Sequence, residues 1–232
     1  METVNANEIA PLLASYIDEE TKKRLQGRSE IDFKVVGDTV FTRAIQKKLD
    51  KLGIKRFDCG NAPCPYVIDL ESEKSIFKYG WVFPYNGLDD IDCCNSGNQS
   101  YETSCVAEAC FRIITRIPDY QYAHIGIVGR GHAVLGLAKR LITSNYTVTQ
   151  CHSKTKNLNS ALAACDVIVY AAPVWNEFDI KNRVVLDVSY CILKEYESPN
   201  LINNIGTVNT SIVVLRAVTQ YMNLKNKKTS LG

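Results

Sequence analysis

The hydrophobic period of the chain changes twice between Ile125 and Ser153. Ile125, Ile127 and Val128 form a short apolar run of the kind that makes a buried strand. Gly129 and Gly131 follow at once and permit a tight turn with close backbone approach to a ligand. From Ala133 to Thr143 the spacing becomes helical, with Leu135, Ala138, Leu141 and Ile142 on one predicted face. Tyr146 to Thr149 then alternates as a second strand. Strand, glycine turn, helix and strand predict the first half of a dinucleotide-binding unit. In such a unit the free N–H groups of the helix N-terminus face the pyrophosphate.

The same reading applied from the start predicts a helix over Glu8–Gln26, with Ile9, Leu12, Leu13, Tyr16 and Ile17 inward. A strand follows over Ile31–Val36, then a helix over Val40–Leu52 with Phe41, Ala44, Ile45, Leu49 and Leu52 inward. Gly53 stops that helix and Ile54–Asp58 opens another strand. Tyr66–Leu70 and Ile76–Phe83 are strand-like. Ser104–Thr115 is helical with Ser104 as N-cap, and Val208–Asn223 is the last predicted helix. The expected class is α/β in two lobes. Residues 1–120 with a returning helix over 205–232 form a small α/β substrate domain, and residues 121–204 form a Rossmann-like domain.

Composition narrows the partners. At 232 residues the chain can bury one large core or two modest ones. A net charge of +2 supplies no basic field for nucleic acid or an anionic membrane. No apolar run approaches the roughly 20 residues of a membrane span. The polar, acidic start METVNANEIAPLLASYIDEE is unlike a leader, so a cytoplasmic protein is expected. The nine cysteines include no C-x-x-C pair. Cys59-x4-Cys64, Cys93-Cys94 and Cys105-x4-Cys110 are spaced too loosely for zinc, so no metal is expected and several are read as small core residues.

The end of the second strand sets the expected cofactor. NAD-preferring proteins place an acid there for the ribose hydroxyls. This chain has Cys151-His152-Ser153-Lys154 instead, with Arg130 in the glycine turn. A basic, hydroxyl-bearing pocket suits a 2′-phosphate, which points to NADP. The alternative is that Arg130 and Lys154 are solvated surface charges. The glycine spacing also departs from G-x-G-x-x-G: Val134 takes the third place and the next glycine is Gly136.

The stretch VGR…VLG…TVTQCHSKTKNL resembles the cofactor domain of the methylenetetrahydrofolate dehydrogenase/cyclohydrolase (FolD-type) family. That family carries VGRS-x-x-VG-x-P and TVT-x-CHS-x-T, and Arg130 and Ser153 match the places that bind the NADP phosphate. Gly131 replaces the family Ser, Ala138 replaces the Pro, and one residue is inserted before Gly136. The resemblance continues through Cys165–Val169 and Val184–Val188, and Asp38, Gly53 and Ile54 match the family's opening. The candidate cofactor set is Gly129, Arg130, Gly131, His132, His152, Ser153, Lys154 and Ala172. His132 has no family counterpart.

The resemblance implies hydride transfer from methylenetetrahydrofolate to NADP, then hydrolysis of the methenyl cation. The second step relies on a Tyr-x-x-x-Lys pair, and its places hold Phe41 and Ile45, neither of which moves a proton. Lys48, one turn further on, is the remaining candidate, with a surface lysine as the alternative. Asp92, in Asp90-Ile91-Asp92-Cys93, stands where the family holds the pterin ring; the alternative is a turn made by Asp89, Asp90 and Asp92. Tyr85 replaces part of a Gln-Leu-Pro-Leu-Pro loop, and Gly206 and Thr207 lie in the family's late glycine loop. Phe41, Ile45, Tyr85, Gly206 and Thr207 are thus the candidate substrate-side residues.

Three readings follow. The first is an NADP-dependent dehydrogenase acting at a carbon bonded to nitrogen, on a folate of one-carbon metabolism or another amine or imine, without a cyclohydrolase step. The second is a non-catalytic nucleotide- or partner-binding protein. The third is a cysteine-based metal or redox protein. By resemblance the chain is a homodimer with a small-molecule substrate.

Overall fold

The computed structural model describes residues 6–27, 34–36, 40–54, 67–69, 81–83, 87–89, 101–173, 178–180, 183–189 and 200–229. The chain divides into two compact units, one of residues 1–14 with 103–209, the other of 15–102 with 210–232. The break at 102/103 puts the helix after Ser104 with the parallel sheet, whereas the sequence reading assigned it to the first 120 residues.

In the unit of 103–209, five parallel strands stand in the order β6-β5-β7-β8-β9. They are β5 (His124–Val128), β6 (Thr147–Cys151), β7 (Val167–Tyr170), β8 (Val184–Asp187) and β9 (Leu201–Ile202). β5, β7 and β8 are near-continuous apolar runs because the sheet is covered on both faces; Ile125, Ile127, Val167, Ile168, Val169 and Leu186 are fully buried. One face packs Cys151, Leu162, Cys165, Ile168, Tyr170 and Phe178 together, with the Tyr170 and Phe178 rings stacked at 5.7 Å.

The helices of this unit begin where local chemistry directs. In α3 (Cys105–Ile114) the Ser104 hydroxyl accepts the Ala107 N–H at 3.0 Å, the predicted N-cap. In α5 (Leu158–Leu162) the Asn157 side chain does the same for Ser160. After the glycine turn, the predicted continuous helix over 133–143 is instead a 3-10 turn, His132–Val134, followed by α4 (Leu137–Thr143). Gly136 separates them with φ +78°, a left-handed conformation that interrupts the helix. The break rotates the buried face. Leu137 and Leu141 are buried, while Leu135 and Ile142, predicted inward, are exposed.

In the other unit, β1 (Lys34–Val36), β2 (Val67–Asp69), β3 (Trp81–Phe83) and β4 (Gly87–Asp89) form a sheet in sequence order. β1 and β2 are parallel; the later pairs are antiparallel. Helix α2 (Val40–Lys51) buries Thr42, Ile45 and Leu49.

Two long helices cross the unit boundaries, α1 (Ala6–Leu25) and α6 (Ile205–Thr229). The buried stripe of α1 runs through Ile9, Ala10, Leu13, Ala14 and Ile17; Leu12 and Tyr16, predicted inward, are 67% and 63% exposed. Helix α6 starts three residues before the predicted Val208, so Gly206 and Thr207 occupy its first turn.

Within the unit of 15–102, Lys48 Nζ of α2 meets Asp18 Oδ2 of α1 at 2.7 Å, with side chains only 11% and 8% exposed. Lys48 is therefore not a surface lysine. Removing one partner of a buried pair strands the other charge, which costs roughly 3–5 kcal/mol, whereas replacing both by apolar groups is often neutral. Lys48→Met is accordingly expected to lose about that much stability by urea denaturation, and the double variant Asp18→Leu/Lys48→Met to recover most of it. Equal losses in single and double variants would show that the pair is not the determinant.

Candidate functional site

The site grows from the C-terminal end of β5. Val128 is in register with Cys151 of β6 on one side and Tyr170 of β7 on the other. β5 connects onward to β6 on one flank while β7 lies on its other flank, so the strand order reverses here, at the place where open α/β sheets bind ligands. Gly129 carries the turn. Its φ is +121°, and a Cβ there would meet the Ala171 carbonyl oxygen at 2.9 Å. Its N–H donates to the Cys151 carbonyl at 2.9 Å, and its own carbonyl accepts from Gln150 Nε2 at 3.1 Å. The turn is thus clamped to β6, while Ala171 N–H returns from β7 to the Val128 carbonyl at 2.8 Å.

Beyond Gly129 the chain opens to solvent. Arg130 and Gly131 are exposed, and nothing lies within 4 Å of a Cβ built on Gly131. His132, half-buried, starts the 3-10 turn, which closes through Val134 N–H to Gly131 O and Leu135 N–H to His132 O. This turn is held from behind by α3. The Ser104 hydroxyl donates to the Ala133 carbonyl at 3.3 Å, and its N–H donates to the Leu135 carbonyl at 3.4 Å. Buried Glu108 pairs with Arg112 at 2.6 Å and with Arg140 of α4, whose guanidinium lies 4.1 Å above the Phe111 ring.

The second wall is the end of β6. Cys151 is buried; His152, Ser153 and Lys154 are exposed. His152 N–H donates to the Thr155 hydroxyl at 3.0 Å and Thr155 N–H returns to the His152 carbonyl at 2.8 Å, which makes a tight turn. Lys154 N–H donates to His152 Nδ1 at 3.1 Å, so the neutral imidazole presents Nε2–H outward as a donor. Ala172, half-buried, follows β7 as the third wall.

The structure therefore brings Gly129, Arg130, Gly131, His132, His152, Ser153, Lys154 and Ala172 to the ends of three adjacent parallel strands. Gly206 and Thr207 leave the same edge of the sheet, after β9. Phe41, half-buried, Ile45, fully buried, and Lys48 stand on α2 in the other unit. Tyr85 and Asp92 lie outside the described residues. Sequence reasoning passed over Asp187, a carboxylate only 2% exposed at the end of β8, which accepts the Ser189 hydroxyl at 3.2 Å. An apolar run ending in an acid, Val184–Asp187, is the signal that marked it.

The described cysteines 105, 110, 151 and 165 are buried and form no disulfide. Burial pushes the Cys110 thiol up to about 12 and raises Cys151 and Cys165 as well. None of these three is poised as a thiolate nucleophile near neutral pH.

Residues 104–213 match the family model of the tetrahydrofolate dehydrogenase/cyclohydrolase NAD(P)-binding domain. Over this stretch the chain is similar to the FolD-type family. It is 34% identical over 121 residues to the bifunctional protein FolD of Caldanaerobacter subterraneus subsp. tengcongensis, covering 49% of this chain and 41% of that protein. To FolD of Picrophilus torridus it is 30% identical over 112 residues, 45% of this chain and 41% of the relative. These matches span about two-fifths of the length of either relative. The fold agrees with the crystal structure of the Campylobacter jejuni enzyme at a TM-score of 0.67 and 16% identity, covering 94% of this chain and 98% of that one. It also agrees with the Trypanosoma brucei enzyme complexed with NADP and inhibitor, at a TM-score of 0.63 and 15% identity, covering 94% and 96%.

The residues present fit a dinucleotide. The main chain at Gly129 leaves no room for a side chain, and the exposed donors Arg130, Ser153, Lys154 and His152 line one side of it. Gly129→Ala is expected to destabilise the parallel-sheet unit by about 1–3 kcal/mol through φ alone, and by more through the Ala171 carbonyl. Gly131→Ser, at φ −74° in open space, is expected to change stability by no more than about 0.5 kcal/mol. Thermal melts of both variants check the pair; equal losses would refute the difference in confinement.

Proposed function

We propose that the chain is an NADP-dependent oxidoreductase that moves hydride at a carbon bonded to nitrogen, with methylenetetrahydrofolate as the first substrate to test and no cyclohydrolase step. The observation that carries this reading is the cationic end of β6. Arg130 and the His152–Lys154 turn are exposed beside the glycine turn, and no carboxylate follows Cys151 where an NAD site would hold the ribose.

NADP supplies the hydride acceptor. The chain's part is to bind and orient. Arg130 and Ser153 take the 2′-phosphate, with Lys154 adding charge and His152 donating from Nε2. Gly129 lets the pyrophosphate approach the main chain. Gly206 and Thr207 are assigned to the reacting end and Asp92 to a nitrogen-rich ring, with Tyr85 and Phe41 as walls. Hydride transfer needs position more than acid–base groups, so loss of the Tyr and Lys places leaves it possible. The altered substrate places also admit a non-folate amine or imine. The proposed setting is a cytoplasmic homodimer; no described helix is long and apolar enough to cross a membrane.

Loss of hydrolysis is supported on α2. Ile45 is fully buried and carries no proton, Phe41 has no hydroxyl, and the Lys48 ammonium is engaged by Asp18. An apolar wall disfavours a poised water.

For the cofactor, Arg130→Ala is expected to remove a charge-assisted pair worth roughly 1.5–3 kcal/mol. NADP affinity, measured by NADPH fluorescence titration, then falls about tenfold or more, with NAD little changed. Equal loss for both cofactors would assign Arg130 to the pyrophosphate or the fold. For the chemistry, methylenetetrahydrofolate is expected to reduce NADP, while methenyltetrahydrofolate disappears only at its uncatalysed rate. Enzymatic hydrolysis would refute the one-step reading. NADPH binding with neither reaction would point to a non-folate substrate or to binding alone.

A further inference from the structure

The parallel sheet has a second edge, opposite the cofactor turns. There the chain enters β5 through Pro118–Ala123 and β6 through Ser144–Tyr146. A groove of about 610 Å³ opens between these entries and the last turn of α3. Phe111, Arg116, Asp119, Tyr122, Asn145 and Tyr146 are among its lining residues. None of them belongs to the dinucleotide site.

Tyr122 is the residue that folding does not explain. Its φ is +65°, and it is 63% exposed. Two other lining residues share the left-handed conformation for local reasons. Asn145, at φ +65°, closes α4: Tyr146 N–H bonds the Leu141 carbonyl and Asn145 N–H bonds the Ile142 carbonyl, a helix end that favours Asn. Asp119, at φ +66°, is short and polar and enters this region readily. Tyr122 is bulky, and its hydroxyl accepts only a 3.3 Å bond from its neighbour Gln121. A strained aromatic residue standing over a cavity is what a ligand clamp requires.

We propose that this groove binds a purine mononucleotide, at a site separate from the cofactor. Tyr122 and Tyr146 supply rings for stacking a planar base, beside Phe111, one face of which the Arg140 guanidinium already covers. Arg116, exposed at the mouth, matches a phosphate. Asp119 is a carboxylate acceptor for ribose hydroxyls, and the Asn145 amide offers a donor and an acceptor to a base edge. Burial, with Tyr122 nearby, raises the Tyr146 phenol, so it stays a donor at neutral pH. The volume lies in the range of small-molecule sites.

The test uses AMP as probe on the full chain. Because AMP resembles part of the dinucleotide, uptake is measured by equilibrium dialysis with and without excess NADP, and NADPH fluorescence is titrated on the same preparation, so that failure of the cofactor reading and failure of this one are separable. One saturable AMP site is expected to remain in excess NADP. Affinity should fall at least tenfold in Arg116→Gln and in Tyr122→Gly, and little in Tyr122→Phe. Tyr122→Gly should melt no lower than the parent, because glycine takes that φ without strain. Three results would each overturn the proposal: no AMP uptake under either condition, uptake indifferent to Arg116→Gln and Tyr122→Gly, or a lowered melting temperature in Tyr122→Gly with unchanged affinity in Arg116→Gln.

Discussion

The dinucleotide-binding half depends on one close approach of main chains, at Gly129. β5 is flanked by β6 and β7, and the turn leaving it must pass between their ends with no side chain of its own. The Gly129 N–H on the Cys151 carbonyl and the Ala171 N–H on the Val128 carbonyl fix that passage from both sides. Arg130 leaves toward solvent because the residue before it is held this way. The following 3-10 turn would be poorly determined alone, since such turns have weak hydrogen-bond geometry. Ser104 supplies the missing constraint by bonding the carbonyls of Ala133 and Leu135, and the Glu108–Arg140 pair fixes α4 to α3.

What the sequence disclosed follows the range of the interaction responsible. The β5 strand, the glycine turn and the Ser104 cap are set within a few residues, and each stands where its residues place it. The break at Gly136 was less legible, because Leu135, Ala138 and Leu141 fit a helical period whichever way the chain turns. Its left-handed backbone decides that Leu135 faces solvent. Likewise Leu12 and Tyr16 satisfy an apolar pattern, but the buried stripe is the neighbouring one, with Ala10 and Ala14 in it. The bond from Lys48 to Asp18 joins positions 30 residues apart, and no local pattern announces it. The turns after β5 and β6 were legible as turns because their residues lie within two short segments; Tyr85 and Asp92 fall outside the described residues.

The turns after β5 and β6 and the helix α2 dispose their polar groups in opposite ways. Around the glycine turn polar groups remain outward, with Arg130, His152, Ser153 and Lys154 unburied. On α2 the charge is internal instead. Ile45 fills a buried position, and Lys48 is tied to the Asp18 carboxylate of the same unit. A buried ion pair adds little net stability over an apolar pair, but it penalises any packing that separates its charges. Here it constrains how α1 and α2 pair within that unit.

The division of the chain has a consequence for the order of folding. Each unit is assembled from two segments far apart in sequence, 1–14 with 103–209 and 15–102 with 210–232. During synthesis the segment 15–102 emerges early yet lacks its complement until α6 is made, and residues 1–14 wait for the parallel sheet. α6 is buried on nearly every side from Val208 to Val218, so its absence leaves apolar surface open in whatever it later covers. Closing loops of that length is entropically slow compared with forming local helices. Neither unit is therefore completed from one continuous stretch of chain; each stays open until its distant segment has been made.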